Sequence, residues 1–544
     1  MGGMFMPRRG GRAIWGSTVV LTAALLTVTA CTSPAPTAVA PQNTQNTQNT
    51  GPGTTASGPA AGSDPGPIVP TNSTLRWHSC SGLIAQMGIT HCTMLSVPLN
   101  YSQPQGRHIS LALDMIPATA PVSQQQGILL VNPGGPGGSG LSLPAELAEG
   151  LSPSVARDYD IIGFDPRGVG SSVPELSCDP SFFSAGPRPN YIPASPTAEQ
   201  VNINRAKTYA SDCEQKFGWL LPYMTTENVA RDLDSIRAAF GVATINYFAF
   251  SYGTYLGQVY ATLFPRRVRR MVLDSTVDPT GVWYTDNVDQ DYAFQGRMNA
   301  FYAWVAQYDS TYNLGSTAAQ VRSAWYRARN QLLAHPANGV VGADELDDTY
   351  IEGGYDDQLW PGLAQALSDY LNQGDSAGLI GQYQSYGVQN ENEFAVYNAV
   401  ECADTSWPGS FSFWTSDTEQ VYKTAPFYAW GNAWYNAACA FWPVHGPSEP
   451  LQITGTGLPG ILMLQGTLDP ATPYTGAQDA HKLLPSARMV VVTGGGNHGQ
   501  SFSQPPNTCV QGYLNGYLAT GALPQSAGLV NATCPALANP TPGS

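Results

Sequence analysis

Three residues at separate points along the chain have the types and surroundings that nucleophilic catalysis requires, and the first is Ser251. It ends an apolar run, Ile-Asn-Tyr-Phe-Ala-Phe at 245–250, and a helical pattern follows it. In a nucleophile elbow the serine lies on a strained turn between strand and helix, and the residues two before and two after it must be small. Ala249 and Gly253 meet this requirement, with alanine where glycine is the familiar residue. Ser251 is therefore the predicted nucleophile, and the alternative is a buried strand that ends in an ordinary Ser-Gly turn.

The general base for this serine is predicted to be His498. Of the seven histidines, only His498 follows a strand-like run, Arg-Met-Val-Val-Val-Thr at 488–493, through a flexible Gly-Gly-Gly-Asn loop at 494–497. A base that must reach over a serine needs such a loop, and an imidazole titrates near neutral pH. Taken alone, His498 could equally be a histidine in an ordinary turn.

The acid that orients the histidine is predicted to be Asp469. It lies in the loop after a buried strand, Ile-Leu-Met-Leu-Gln-Gly, and would hold the imidazole in the correct tautomer. Asp274 and Asp278 compete, because they follow the strand-like run 268–273 and also lie between serine and histidine. Asp469 is preferred because its strand directly precedes the histidine's strand. Thr472 either supports the acid's loop through its hydroxyl or caps a turn, and the second reading is preferred.

A glycine-rich segment before the serine supplies the fourth part. Asn-Pro-Gly-Gly-Pro-Gly-Gly-Ser-Gly at 132–140 follows a short apolar strand at 128–131. Glycines let backbone N–H groups point at a developing negative charge, so the amides of Gly135 and Tyr252 are the predicted oxyanion hole. The segment also matches a dinucleotide fingerprint, Gly-x-Gly-x-x-Gly from Gly135, but proline lies inside the turn and no acidic partner is clearly placed at a strand end. No cofactor is expected.

Five motifs lie in a fixed order between about residue 75 and the end of the chain. They are Asn-Pro-Gly-Gly-Pro-Gly-Gly-Ser-Gly at 132–140, Gly-Phe-Asp-Pro-Arg-Gly-Val-Gly-Ser at 163–171, Thr-Thr-Glu-Asn-Val-Ala-Arg-Asp-Leu-Asp at 225–234, Phe-Ser-Tyr-Gly-Thr-Tyr-Leu-Gly at 250–257, and Gly-x-x-Asp-Pro-x-Thr-Pro at 466–473 with Gly-Asn-His-Gly at 496–499. The set resembles the secreted tripeptidyl aminopeptidases of actinobacteria, serine exopeptidases of the α/β-hydrolase fold related to prolyl aminopeptidases. The resemblance implies release of tripeptides from free N-termini, and the departure from the pattern is Ala249.

The alternation of apolar strands and helices predicts an α/β fold with a mostly parallel sheet. Between Asp278 and Gly457 the pattern changes to helical stretches rich in Trp, Tyr and Asn, where a mainly helical lid would be inserted. Most of these aromatic side chains are expected to pack the lid's own core. The predicted organisation is a signal peptide at 1–30, a disordered tether at 31–74, an α/β-hydrolase core at 75–278, the lid at 279–457, and the rest of the core at 458–544.

The first 74 residues indicate export. Three arginines precede an apolar stretch at 13–30, which ends in Val-Thr-Ala before Cys31 in the form of a lipobox. Cleavage before Cys31 would leave that cysteine free to carry lipid. Residues 32–74 repeat Gln-Asn-Thr among Pro, Ala, Gly and Thr and cannot build a core. We expect an exported protein, anchored by lipid to the outer face of the cell membrane or secreted.

The cysteine count supports that compartment. Without Cys31 the nine cysteines leave eight, an even set that favours four disulfides in an oxidising space. Counting leaves the connectivity open, and we propose that neighbours in sequence pair. The proposed pairs are Cys80–Cys92, Cys178–Cys213, Cys402–Cys439 and Cys509–Cys534. No zinc-type Cys or His spacing is present, so no metal is expected.

Composition limits the partners. The formal net charge is −15 with a pI near 4.8, and an acidic surface repels nucleic acid phosphates. The expected partners are peptides or proteins with free N-termini and a membrane reached through Cys31, and the protein is expected to be a monomer.

Recognition of a free N-terminus requires carboxylates that bind an ammonium group. The resemblance implies that such acids lie in the lid, and Glu401 and Asp404 are the candidates because a disulfide at Cys402 would hold them rigid. The alternative is two surface acids beside a cystine. Two other functions stay open: an esterase acting on lipids or polysaccharides with the same triad, and a tethered binding protein without activity.

Overall fold

Ten strands form a single sheet in the part of the chain that the structure, a computed structural model, describes. The described residues are 75–183, 186–525 and 527–543, so the predicted signal peptide, Cys31 and the predicted tether lie outside them. The strands are β1 (His78–Ser79), β2 (His91–Pro98), β3 (His108–Ile116), β4 (Ile128–Asn132), β5 (Asp160–Phe164), β6 (Ile245–Phe250), β7 (Val268–Asp274), β8 (Ile461–Gly466), β9 (Ala487–Thr493) and β10 (Ala532–Pro535). Their order across the sheet is β1-β2-β3-β5-β4-β6-β7-β8-β9-β10.

The sheet is parallel from β5 to β10, and β1, β2 and β3 extend it in antiparallel pairing. The central strands β4, β6 and β8 are buried along their whole length, which explains why their sequences are nearly continuous apolar runs. The prediction of a mostly parallel sheet is therefore confirmed. Sequence analysis missed β1, β2 and β10, which lie at or next to the two edges.

All the helices of the described residues lie between β1 and β10 along the chain. The helices are α1 (Gly82–Gln86), α2 (Leu143–Gly150), α3 (Pro153–Ala156), α4 (Pro196–Phe217), α5 (Thr226–Ala239), α6 (Tyr252–Leu263), α7 (Tyr284–Gln307), α8 (Asp309–Tyr312), α9 (Ala318–Ala334), α10 (Ala343–Tyr355), α11 (Trp360–Gln373), α12 (Ala377–Gln382), α13 (Glu391–Asp404), α14 (Phe411–Tyr422), α15 (Ala429–Asn436), α16 (Tyr474–Leu483) and α17 (Thr508–Thr520). Among the described residues, none of these helices has the length and apolarity needed to cross a membrane.

The lid consists of helices α7 to α15, inserted between β7 and β8. Many of its large aromatic side chains form a separate hydrophobic core that includes Trp304, Trp325 and Trp360, each almost fully buried. Helix α13 differs, because Phe394 and Val400 belong to the core beneath the sheet instead. The lid is thus a packed unit with one helix built into the main domain.

Four disulfides are present, and they are the four pairs that the sequence predicts: Cys80–Cys92, Cys178–Cys213, Cys402–Cys439 and Cys509–Cys534. The third joins the C-terminal part of α13 to the turn after α15 and so closes a loop within the lid. Each crosslink restricts the unfolded chain more than the folded one.

Two of the sequence motifs meet in a fully buried ion pair. Arg167 donates to both carboxylate oxygens of Asp232, each at 2.7 Å, and neither side chain is accessible to solvent. Arg167 also donates to the carbonyl oxygens of Leu99 and Tyr223, and the Tyr101 hydroxyl donates to Asp232. These motif residues therefore stabilise the packing of α5 and have no direct part in chemistry.

Breaking this pair should destabilise the fold. Arg167→Met leaves the Asp232 carboxylate buried without its cation, and such a loss costs about 3–5 kcal/mol. Thermal unfolding followed by circular dichroism should show a lower midpoint for Arg167→Met than for the double variant Arg167→Met/Asp232→Leu. Arg231→Met, which removes a partly exposed pair with Glu227 on the same helix, should change stability by less than about 1 kcal/mol. Equal midpoints for Arg167→Met and Arg231→Met would contradict this account.

Candidate active site

Ser251 lies at the junction of β6 and α6 with φ 55° and ψ −132°. A positive φ is unfavourable for serine, and the surrounding packing must hold the residue in it. A side chain at Gly253 would put its Cβ 2.5 Å from Asn132 Oδ1 and 2.9 Å from the Cβ of Ala249. Glycine is therefore required at 253, and because it has no side chain, alanine fits at 249. The backbone conformation predicted for the elbow is present.

The predicted base and acid contact each other directly. His498 Nδ1 lies 2.9 Å from Asp469 Oδ1 and 3.1 Å from Oδ2, and both side chains are buried. A carboxylate has no proton to donate, so Nδ1 carries the hydrogen and Nε2 is left as the basic nitrogen. Nε2 is buried and has no hydrogen-bond partner within the described part of the chain. It is thus available to accept a proton from a serine hydroxyl.

The loop around Asp469 holds its carboxylate in place. The backbone N–H groups of Ala471 and Thr472 both donate to Asp469 Oδ1 at 3.0 Å. The hydroxyl of Thr472 is buried and makes no hydrogen bond to any residue that the structure describes. Thr472 therefore supports the acid through its main-chain N–H, and this contact favours a role that does not use the hydroxyl.

Asp274, one of the two competitors for the acid, connects the serine turn to the histidine loop. Its backbone oxygen accepts the N–H of Ser251 at 3.2 Å. Its buried carboxylate accepts the backbone N–H groups of Gln500 and Ser501, each at 2.8 Å, and the Ser501 hydroxyl. Burial raises the pKa of Asp274 to about 6. Asp274 thus fixes the segment after His498 against the elbow and does not contact the imidazole through a hydrogen bond.

The other competitor, Asp278, belongs to a local turn. Its Oδ1 accepts the N–H of Thr280 at 2.8 Å and the Thr280 hydroxyl at 2.7 Å. It contributes no hydrogen bond to His498 among the described residues. The geometry therefore favours Asp469 over both competitors as the acid of the triad.

The glycine-rich loop after β4 packs against the elbow. A Cβ at Gly134 would lie 2.8 Å from both the Phe250 carbonyl oxygen and the Cβ of Ser251, and 3.2 Å from the Tyr252 nitrogen. The Tyr252 amide is the first of α6 and has no acceptor within its own helix. The predicted donors, Gly135 and Tyr252, therefore come from adjoining backbone segments beside the serine. A dinucleotide site would need open space at these glycines and a helix that begins there. Here the elbow fills the space and the next helix begins only at Leu143, so dinucleotide binding is disfavoured.

Comparison with known proteins identifies the family. The sequence profile of the α/β-hydrolase fold matches residues 127–504. A tripeptidyl aminopeptidase of Streptomyces coelicolor is 40% identical over 477 residues, which cover 86% of this chain and 87% of that protein. One from Streptomyces lividans is 41% identical over 456 residues, covering 82% and 84%. The chain belongs to the tripeptidyl aminopeptidase family of α/β hydrolases. A carboxylesterase B of Mycobacterium tuberculosis is 32% identical over 493 residues, covering 86% and 92%.

As a member of this family the chain is a serine hydrolase, so the predictions of fold, family and enzymatic class are confirmed. The roles of individual site residues stay predictions that the geometry above supports. Within the described residues, no group of three or more His, Cys, Asp or Glu side chains is arranged to hold a metal ion.

The two acids predicted to bind a substrate amine have other contacts in this hydrolase. Asp404 accepts the N–H of Thr226 at 2.7 Å, its hydroxyl at 2.6 Å, and Trp283 Nε1 at 3.3 Å. It therefore caps the first turn of α5. Glu401 is buried inside the lid, where Asn287 Nδ2 donates to it at 3.3 Å, and burial raises its pKa well above the usual value. These hydrogen bonds favour a structural role for both acids.

Two glutamates that sequence analysis missed lie on helices that contact the catalytic segments. Glu352 is on α10 one turn before Tyr355, whose ring meets the His498 ring edge-on at a centroid distance of 5.4 Å. Glu393 is on α13, and its backbone packs against Gly137 of the oxyanion loop, where an added Cβ would lie 2.7 Å from the Glu393 carbonyl oxygen. Burial and then the negative charge of Glu393 raise the pKa of Glu352 to about 7. After burial, the charges of both glutamates contribute to raising the pKa of Tyr355, the residue that contacts His498.

Substitution of the three aspartates should separate their roles. Asp469→Asn places an amide against His498 and favours the wrong tautomer, so kcat should fall roughly 10⁴-fold. Asp274→Asn removes a charged acceptor and points an amide N–H at one of the two backbone donors, so His498 should shift and kcat should fall about 10²-fold. Asp278→Asn is the control and should keep wild-type kcat. Steady-state kinetics measure all three, and a larger loss for Asp274→Asn than for Asp469→Asn would reverse the assignment.

Proposed function

We propose that this protein is an exported serine aminopeptidase that releases short peptides, three residues long, from free N-termini. The observation that carries the proposal is the position of two glutamates at the site. Glu352 lies on α10 one turn before Tyr355, whose ring contacts His498, and the backbone of Glu393 contacts Gly137 of the oxyanion loop. A buried carboxylate such as that of Glu352 is costly for an enzyme that binds only neutral acyl chains. It is suited to a substrate that brings a cation into the cleft.

The proposed mechanism is acyl transfer. Ser251 attacks the scissile carbonyl while His498 Nε2 takes its proton, and Asp469 stabilises the imidazolium that forms. The amides of Gly135 and Tyr252 bind the oxyanion. The imidazolium then protonates the leaving amine, and a water activated by His498 hydrolyses the acyl-enzyme.

In this proposal the ammonium of the substrate sets the position of cleavage. An ammonium held between two carboxylates forms charge-assisted hydrogen bonds, which are stronger than neutral ones in an enclosed site. Holding the N-terminus at a fixed distance from Ser251 selects the bond to be cut. The length of three residues comes from the tripeptidyl aminopeptidases of the two Streptomyces species, to which this chain is 40% and 41% identical.

Export and anchoring are also part of the proposal. The four disulfides suit an oxidising space outside the cytoplasm. Lipid at Cys31 and the 31–74 tether would hold a monomeric enzyme at the outer face of the membrane. Its substrates would be peptides or proteins with free N-termini.

An esterase is the second candidate, because one relative at 32% identity is a carboxylesterase B. An esterase would use the same triad and oxyanion hole. It would have no use for a carboxylate pair in the cleft, and for that reason the aminopeptidase is preferred.

Matched substrates distinguish the two. A tripeptide p-nitroanilide with a free N-terminus should be cleaved, and its N-acetylated form should lose most of the activity, because an amide carries no charge for Glu352 and Glu393 to bind. A p-nitrophenyl ester of a short acid serves as the esterase substrate. Mass spectrometry of fragments from a longer peptide gives the length released. Equal rates on the free and acetylated peptides would overturn the aminopeptidase proposal, and so would a strong preference for the ester.

The same acids predict a pH dependence. The pKa of Glu352 is raised to about 7, so the carboxyl becomes neutral below that pH and KM for free-amine substrates should rise as pH falls. KM should rise again above pH of about 8, where the substrate α-amine loses its proton. Glu352→Gln should raise KM at least about tenfold at pH 7.5. It should also abolish the rise of KM at low pH, the acid limb of the profile. Glu419→Gln, on an exposed lid helix, is the control and should match the wild type in KM at every pH. An unaltered acid limb in Glu352→Gln would exclude Glu352 from amine binding.

A further inference from the structure

The loop that carries His498 is held from two sides. On the sheet side, Ser275 Oγ accepts the N–H of Gly499 at 2.7 Å, and Asp274 accepts the two amides that follow. On the lid side, the N–H of His498 itself donates to the carbonyl oxygen of Tyr355 at 2.8 Å. Tyr355 is the last residue of α10, so the catalytic base is hydrogen-bonded to the end of a lid helix.

Asn497, the residue before the histidine, makes most of the lid-side contacts. Its Oδ1 accepts the backbone N–H of Asp357 at 3.0 Å. Its Nδ2 donates to Asp357 Oδ1 at 3.1 Å and to Asp356 Oδ1 at 3.3 Å. One amide side chain is therefore bonded through both of its polar atoms to the turn that follows α10, a geometry that fixes the rotation of residue 497 and of the peptide leading to His498.

Arg297 on α7 supports this contact from the lid interior. Its guanidinium lies over the Trp360 ring at 5.0 Å and donates to Asn497 Oδ1 and to the Gly354 carbonyl oxygen, each at 3.4 Å. It also lies so close to Gly496 that a side chain at that position would overlap it. The glycine before Asn497 thus allows the lid to approach the histidine loop.

We infer that Asn497 is a positioning residue through which the lid sets the orientation of His498. The base is then correctly aimed only while the α10 end of the lid is seated on residues 496–498. A displaced lid would leave the histidine loop with its sheet-side bonds alone. The inference rests on the proposed serine mechanism and is independent of which substrate the enzyme cleaves.

The alternative, in which Asn497 only stabilises the fold, makes a different prediction. In that case its loss would lower the unfolding temperature and leave the reactivity of correctly folded Ser251 unchanged. Phosphonylation of Ser251 by a fluorophosphonate separates the two readings, because that reaction needs the base and the oxyanion hole but no substrate amine. It also keeps this test apart from the aminopeptidase question.

The test compares Asn497→Ala, Asp357→Asn, their double variant and Asn515→Ala. Asn515 is the matched control: it is also partly buried and accepts a backbone N–H, that of Ser152 at 2.7 Å, but it lies on α17 and outside the lid. The measurements are the phosphonylation rate constant, kcat and KM on the best substrate, and the thermal midpoint.

Asn497→Ala should lower the phosphonylation rate and kcat about 10–100-fold, as expected for a displacement near 1 Å, with KM nearly unchanged and a midpoint close to that of Asn515→Ala. Asp357→Asn, which keeps the backbone N–H, should show a smaller loss. The double variant should react like Asn497→Ala alone, because both changes act on one contact. A wild-type phosphonylation rate in Asn497→Ala would overturn the inference, as would losses that multiply in the double variant. If Asn497→Ala does not fold, a wild-type rate in Asp357→Asn has the same meaning.

Discussion

The buried hydrogen bond between His498 and Asp469 is the interaction on which the rest of this molecule depends. Two ionisable groups without solvent are costly unless their remaining hydrogen-bonding capacity is satisfied. The amides of Ala471 and Thr472 meet this need for the carboxylate, and the sheet brings β8 and β9 together so that the two loops meet. The pairing leaves His498 Nε2 without a hydrogen-bond partner among the described residues, so this nitrogen is the one that can accept a proton.

The glycines at the site serve close approach more than flexibility. Gly253 lets the elbow contact Asn132, Gly134 lets the oxyanion loop contact Ser251, and Gly496 lets Arg297 reach the histidine loop. At each of these three positions a side chain would overlap a neighbour that belongs to a different segment of the chain. The catalytic geometry is therefore assembled from segments that pack closely at these glycines, and such contacts tolerate little displacement.

The triad could be predicted from sequence because each member follows an apolar run that is long enough to recognise as a buried strand. The amine-side acids could not be predicted in that way. Helix α10 carries five acids in thirteen residues, and only packing shows that Glu352 is the one near the end of the helix that contacts His498. On α13, Glu391 and Glu393 both lie in the first turn, and the sequence does not tell them apart. In the structure Glu391 has a structural role, because it accepts hydrogen bonds from the Cys178 and Asp179 amides. The neighbouring cystine points to Asp404, but its carboxylate is bonded to Thr226 at the start of α5 and to Trp283. Edge strands such as β10 are too short to show a pattern.

Strands β7 and β8, which flank the lid in sequence, are hydrogen-bonded neighbours in the sheet. The polypeptide therefore leaves the main domain and re-enters it at adjoining points, so an inserted module of another size can be accommodated without a change in strand order. Such modules are easily exchanged during evolution or by an engineer. In this enzyme, however, a replacement must also present a carbonyl oxygen where Tyr355 does and a turn that receives Asn497. Transplantation of substrate specificity between relatives is thus constrained by the few atoms through which the lid contacts the histidine loop.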